Sequence, residues 1–108
     1  LRRNIEKLKF GPRAAVLHGD AFDAARVVRR LGRTFDLIFV DPPYAMYDDP
    51  ATVGRLEAAV AGLAASRSPD SLAVVEHRDT QALPETWAGG SLTDRRKYGG
   101  TVVSWYGR

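Results

Sequence analysis

The residues best suited to chemistry are Asp41-Pro42-Pro43-Tyr44, which directly follow the apolar run Phe35-Asp36-Leu37-Ile38-Phe39-Val40. Two prolines fix φ and remove two N–H donors, leaving a stiff loop whose carbonyls are free to accept. Asp41 adds a carboxylate at the end of the run, and Tyr44 supplies a flat face for stacking. Together they make a receptor for a planar amine, in which acceptors grip the N–H protons and the ring holds the base. An exocyclic amine is a poor nucleophile because its lone pair is delocalised into the ring. A site of this kind could act by polarising the amine and aligning it with a methyl donor. Taken alone, the tetrapeptide reads as a plain turn in which Pro-Pro ends a strand and Tyr44 packs nearby. Its position after a buried strand favours the site, because ligands of open α/β sheets bind beyond the carboxyl ends of the strands.

The elements that must position this loop follow from the hydrophobic pattern. Leu1 to Phe10 has apolar residues at helical spacing and is stopped by Gly11-Pro12. Ala14 to Leu17 reads as a short buried strand leaving through His18-Gly19-Asp20, and Phe22 to Leu31 as a second helix. Phe35 to Val40, continuously apolar apart from Asp36, predicts a parallel strand covered on both faces. An alanine-rich helix runs from about Ala51 to Ala65, with Val53, Leu56, Val60 and Leu63 inward and Asp48-Asp49 favouring its start. Ser71 to His77 reads as the next strand. Ser91 to Arg96 and Thr101 to Tyr106, joined across Tyr98-Gly99-Gly100, read as an antiparallel hairpin. The alternation implies an α/β fold, a doubly wound parallel sheet with an antiparallel edge.

Composition narrows the classes further. The chain has 108 residues, enough for one domain, with 44% apolar and 27% charged residues. It has no cysteine, which excludes disulfides and cysteine zinc sites, and its two histidines are too few to build a metal site alone. No membrane span or signal-peptide pattern is present, and a cytoplasmic protein is the default expectation. The net charge of +3 favours a polyanionic partner only mildly. The charge is gathered at Arg2-Arg3, at Arg29-Arg30 with Arg33, and at Arg95-Arg96-Lys97; each cluster taken alone reads as a solvated face rather than a phosphate site.

At this point the residues resemble a family. Asp41-Pro42-Pro43-Tyr44 looks like the catalytic motif of amino methyltransferases with the Rossmann-like fold. The wider pattern resembles the RsmD-type 16S ribosomal RNA guanine-N2 methyltransferases, through Leu1 to Ile5, His18-Gly19-Asp20-Ala21-Phe22, Phe35 to Tyr44, Val74-Val75-Glu76-His77 and Arg96 to Thr101. The resemblance implies that Asp41 and the Pro42 carbonyl accept from the target amine, within a catalytic tetrapeptide Asp41, Pro42, Pro43 and Tyr44, and that Tyr44 stacks on the base. It places S-adenosylmethionine against Gly19, Asp20, Ala21, Phe22 and Asp41, with Asp20 on the adenine amine. The alternative for Asp20 is a helix N-cap. Arg95, Arg96, Lys97 and Tyr98 become candidate contacts to RNA, and His77 a candidate lining residue of the target pocket, although a structural role for His77 and for Glu76 is the simpler reading. His18 reads as a packing residue, and Trp87 and Trp105 as core or hairpin anchors. The implied partner is 16S rRNA or the assembling small ribosomal subunit, with no membrane and no metal.

The chain also departs from the pattern. The family's glycine-rich loop, and the acidic residue that holds the ribose hydroxyls, are expected upstream of residue 1, and the chain opens without methionine or a capping residue. Residues 1–108 are therefore expected to form an incomplete class I methyltransferase domain, in which Ala14 to Leu17 is an unpaired edge that invites self-association. Weak or absent cofactor binding, and no turnover by this chain alone, follow from that expectation. Rival readings are an adenine-N6 DNA methyltransferase, an enzyme acting on glutamine amide, a non-catalytic methyltransferase-like fragment, and a different nucleotide-binding α/β domain.

Overall fold

A computed structural model describes residues 2–9 and 14–108. Its elements run α1 (Arg2–Lys7), α2 (Ala24–Arg29), β1 (Phe35–Val40), α3 (Pro50–Ala61), β2 (Arg67–Arg78), β3 (Thr86–Trp87), β4 (Gly90–Tyr98) and β5 (Thr101–Gly107). Short 3₁₀ turns at Ala21–Asp23, Tyr44–Asp48 and Ala64–Ser66 link them. Phe10 to Arg13, on which the stop of the first predicted helix falls, lie outside the described residues.

The sheet order is β1-β2-β5-β4-β3. β2 is the pivot: it pairs in parallel with β1 and antiparallel with β5. β4 and β5 form the predicted hairpin, closed by a turn in which Gly99 takes φ +63, a conformation that favours glycine. The fold is α/β and Rossmann-like, with one parallel pair and an antiparallel hairpin beside it.

Packing follows from strand parity. Ile38 and Val40, Ala73, Val75 and His77, and Val102, Ser104 and Tyr106 fall on one face through the cross-strand register. Helix α3, whose Leu56 and Val60 are buried, covers that face together with Leu83 and Trp87 from the segment after β2. Asp49 starts α3: its Oδ1 accepts from Ala51 N at 3.1 Å, and Pro50 occupies the first turn, where a missing N–H costs nothing.

Two expectations are corrected. Ala14 to Leu17 forms no strand, since four residues, half of them alanine, bring little β-propensity and no ladder partner reaches them. Among the described residues the edge strands are β1 and the two-residue β3 instead. Nor is β1 covered on both faces by the described residues: Leu37 is 47% and Phe39 72% exposed. The β1–α3–β2 crossover places α3 on one side of the sheet, and α2 packs with it. The predicted strand from Ser71 begins earlier, at Arg67, across a bulge in which Phe35 pairs Arg67 and Leu37 pairs Leu72. Pro69 sits inside that irregularity, where no ladder donor is needed. The second predicted helix divides into the turn Ala21–Asp23 and α2, and the third ends at Ala61 before its own 3₁₀ turn.

Two glycines test this packing in opposite directions. A Cβ on Gly90 would collide with the Gly107 carbonyl oxygen, whereas one on Gly54, inside α3, would meet nothing. Gly90→Ala should lower the unfolding free energy, read from urea titration, by more than the roughly 0.5 kcal/mol of an ordinary surface change. Gly54→Ala should raise stability by about 1 kcal/mol. A neutral Gly90→Ala would refute the close approach of β4 to β5.

Candidate active site

The end of β1 delivers Asp41 beside the carboxyl end of β2. The Asp41 carboxylate is exposed and makes no hydrogen bond or ion pair among the described residues. The loop carbonyls are unequal. Pro43 O accepts from Met46 N at 3.0 Å, and Tyr44 O accepts from Gln81 Nε2 at 2.7 Å. That leaves the Pro42 carbonyl without a partner among the described residues. Asp41 and Pro42 line one hollow together, on a support that the prolines stiffen by fixing φ.

Tyr44 is held from several directions. Its hydroxyl donates to Glu76 Oε1 at 2.9 Å and lies 3.0 Å from Thr101 Oγ1. The Arg78 guanidinium stands 4.9 Å from the ring centroid, within the range of a cation–π contact. Gln81, buried after β2, bonds Tyr44 O and donates to Asp48 Oδ1 at 2.8 Å, while its Oε1 accepts from Arg78 N at 3.1 Å. Tyr47, also buried, donates to the Glu76 carbonyl at 2.7 Å. Burial pushes the Tyr47 phenol well above its ordinary range, and the charges of Asp41, Glu76 and Tyr44 add to the shift, so it serves as a neutral donor.

Next to this loop lies a mainly apolar hollow of about 250 Å³, lined by Ala21, Val40, Asp41, Pro42 and Leu56 among others. A second recess, about 270 Å³, is lined by Gly19, Asp20 and Ala21 with Leu17 and His18. Ala21 borders both, which brings the His18 to Ala21 segment to the Asp41-Pro42 corner. Asp20 Oδ1 accepts from Phe22 N at 3.0 Å, so the N-cap role is present. Phe22 differs from its expectation: its ring packs toward α3 beneath Arg55, whose guanidinium is 4.1 Å from the centroid, and it borders neither hollow.

His77 and Arg95 require correction as substrate contacts. Strand parity turns His77 to the covered face, where it is 2% exposed. Its Nδ1 lies 3.0 Å from Arg78 O and its Nε2 2.9 Å from Ser104 Oγ, so both ring nitrogens are engaged. Arg95 belongs to the same network: its Nε donates to Ser104 Oγ at 2.9 Å and its Nη2 to Leu83 O at 2.8 Å and Tyr106 OH at 3.2 Å. Arg96 and Lys97 are exposed and bridge Asp94 at 3.1 Å and Asp79 at 3.2 Å. Tyr98 is 58% exposed and pairs across the hairpin with Thr101, the residue that meets Tyr44. Among the described residues no cluster of His, Cys, Asp or Glu could hold a metal ion, and no helix is long and apolar enough to cross a membrane.

Sequence reasoning missed Gln81, Tyr47 and Arg78. Gln81 carries no local signal for its clamp, because the two groups its amide nitrogen meets lie 33 and 37 residues away. Arg78 could have been placed on the Glu76 side by period-two alternation, once the strand was known to extend that far.

The profile of the Conserved hypothetical protein 95 family matches residues 1–107. The chain belongs to this family. No curated protein matches it in sequence. Among solved structures, a conserved hypothetical protein of Streptococcus pyogenes is 29% identical, with a TM-score of 0.74 over 99% of this chain and 62% of its own. A hypothetical protein of Thermus thermophilus is 25% identical, with a TM-score of 0.68 over 96% of this chain and 52% of its own. An rRNA methyltransferase of Streptomyces viridochromogenes is 21% identical, with a TM-score of 0.64 over 98% of this chain and 44% of its own, and shows the shared fold. This member of the Conserved hypothetical protein 95 family thus spans 62% or less of each of these structures.

The histidine network has a measurable sign. Burial, chiefly, lowers the His77 pKa; hydrogen bonds at Arg78 and Gln81 oppose this, and the Arg95 charge adds to it. The unfolded chain, with its imidazole near 6.5, therefore binds the proton more readily than the folded one. The associated stability is present above about pH 6.5 and is lost as pH falls below it. Urea unfolding at pH 7.5 and 5.5 should show a smaller drop in His77→Gln than in the unmodified chain. Equal drops would contradict a buried neutral imidazole.

Proposed function

We propose that this chain forms the amine-binding part of an S-adenosylmethionine-dependent methyltransferase that modifies the exocyclic N2 of a guanine in 16S rRNA, met as naked RNA or in the assembling small subunit. One observation carries the reading: Asp41 and the Pro42 carbonyl are left unpartnered next to a tethered Tyr44. The carbonyls of Pro43 and Tyr44 and the Tyr44 hydroxyl are engaged within the chain, whereas these two acceptors are available for the two N–H protons of an amine. An RNA substrate agrees with the rRNA methyltransferase that shares the fold. Guanine N2 rests on the RsmD-type resemblance.

The residues present fit the cofactor. The hollow at Ala21, Val40, Pro42 and Leu56 is apolar and borders Asp41, as a flat adenine beside the amine site requires. Ala21 and Pro42 would flank the adenine, and Asp20, with the acceptor oxygen its cap leaves over, would receive the adenine amine. Bound S-adenosylmethionine would supply the electrophilic methyl group. The chain itself orients the amine, polarises it through Asp41 and Pro42, and holds the base on Tyr44. Tyr98, Arg96 and Lys97, on the hairpin beside Thr101, would meet the RNA around the target.

The test is calorimetric titration of S-adenosylmethionine into this chain and into a form extended upstream, with Asp20→Ala in the longer form. Binding chiefly by the longer form, weakened by Asp20→Ala, is the expected result. Asp41→Ala should reduce methyl transfer to small-subunit particles by about a hundredfold or more. Absence of binding by either form would sink the assignment.

A further inference from the structure

We propose that Glu76 is a positioning residue for Tyr44, fixing the ring on which the target base stacks; this rests on the reading of Tyr44 given above. Glu76 lies on the open face of β2, opposite in parity to His77, and pairs across the sheet with Val103. Its carboxylate accepts from the Tyr44 hydroxyl at 2.9 Å, a charge-assisted bond stronger than a neutral one. Its backbone carbonyl accepts from Tyr47, so this one residue anchors both tyrosines of the loop that follows the prolines.

The restraints on Tyr44 converge from opposite ends. Gln81 holds the backbone carbonyl, while Glu76 and Thr101 hold the phenol oxygen on the far side of the ring. A ring pinned at both ends of its long axis cannot swing out of the site. Arg78 stands over one face of the ring, so a planar ligand would stack on the other. The carboxylate also draws on the phenol proton, which makes the ring face more negative and strengthens the attraction to Arg78. A side chain serving only as packing would need neither the hydroxyl nor an acid to meet it.

The experiment compares Glu76→Ala, Glu76→Gln, Tyr44→Phe and the Glu76→Ala/Tyr44→Phe pair in the full-length protein. It measures methyl transfer to small-subunit particles and calorimetric binding of S-adenosylmethionine. Glu76→Ala and Tyr44→Phe should each lower kcat about tenfold, inside the hundredfold that misplacement of a reacting group can cause. The double variant should be no slower than either alone, Glu76→Gln, which keeps an acceptor, should recover most of the rate, and cofactor affinity should stay within about twofold throughout. Loss of cofactor affinity in step with rate would mark Glu76 as merely structural and overturn the inference. So would a Glu76→Ala enzyme as fast as the unmodified one, or additive losses in the double variant. Inactivity of the unmodified protein would instead overturn the underlying assignment of Tyr44.

Discussion

The whole arrangement depends on the two-sided pairing of β2. One edge of this strand runs parallel to β1 and the other antiparallel to β5, so its carboxyl end is the place where three separate loops must meet. The tetrapeptide arrives from β1, the hairpin turn from β5, and residues 79 to 81 from β2 itself. Ladder hydrogen bonds set these meetings before any side chain is considered, because each strand has one register that keeps Ile38, Val75 and Tyr106 on the covered face. The hydrogen bonds of Tyr44 to Glu76 and Thr101 then join loops that are 32 and 57 residues apart in the chain.

On the two sides of β2 the polar groups are treated differently. On the covered face His77, Ser104, Arg95 and Tyr106 satisfy one another or backbone carbonyls, as buried polar groups must. On the rim, Asp41 and the Pro42 carbonyl are left without partners among the described residues. The contrast between the paired network on the covered face and these two free acceptors marks that corner as a place for a ligand's donors.

Much of this was legible in the sequence, and the exceptions have physical causes. β1, α3, β2 and the hairpin have strong periodicity or apolar runs and lie within a few residues of where the pattern puts them. Ala14 to Leu17 is an apolar run of weak β-propensity and has no ladder partner among the described residues, which the local pattern alone does not reveal. The Val74 to His77 run is apolar enough to hide its parity, so Glu76 and His77 could not be told apart: one faces the tyrosine, the other the core. Asp20 carried two readings, and the cap is visible in the structure. Gln81 is a lone polar residue in a loop, and nothing in its neighbourhood announces a clamp on a carbonyl 37 residues away.

The alternation along β2 carries an implication for how such a chain can change over time. Inserting one residue between Val74 and Glu76 would exchange the faces of everything beyond it, sending the glutamate into the core and the imidazole to the rim. Inserting two would restore both. Length variation in this stretch is thus constrained by parity rather than by size, and a lineage could lengthen the strand in even steps while odd ones were lost.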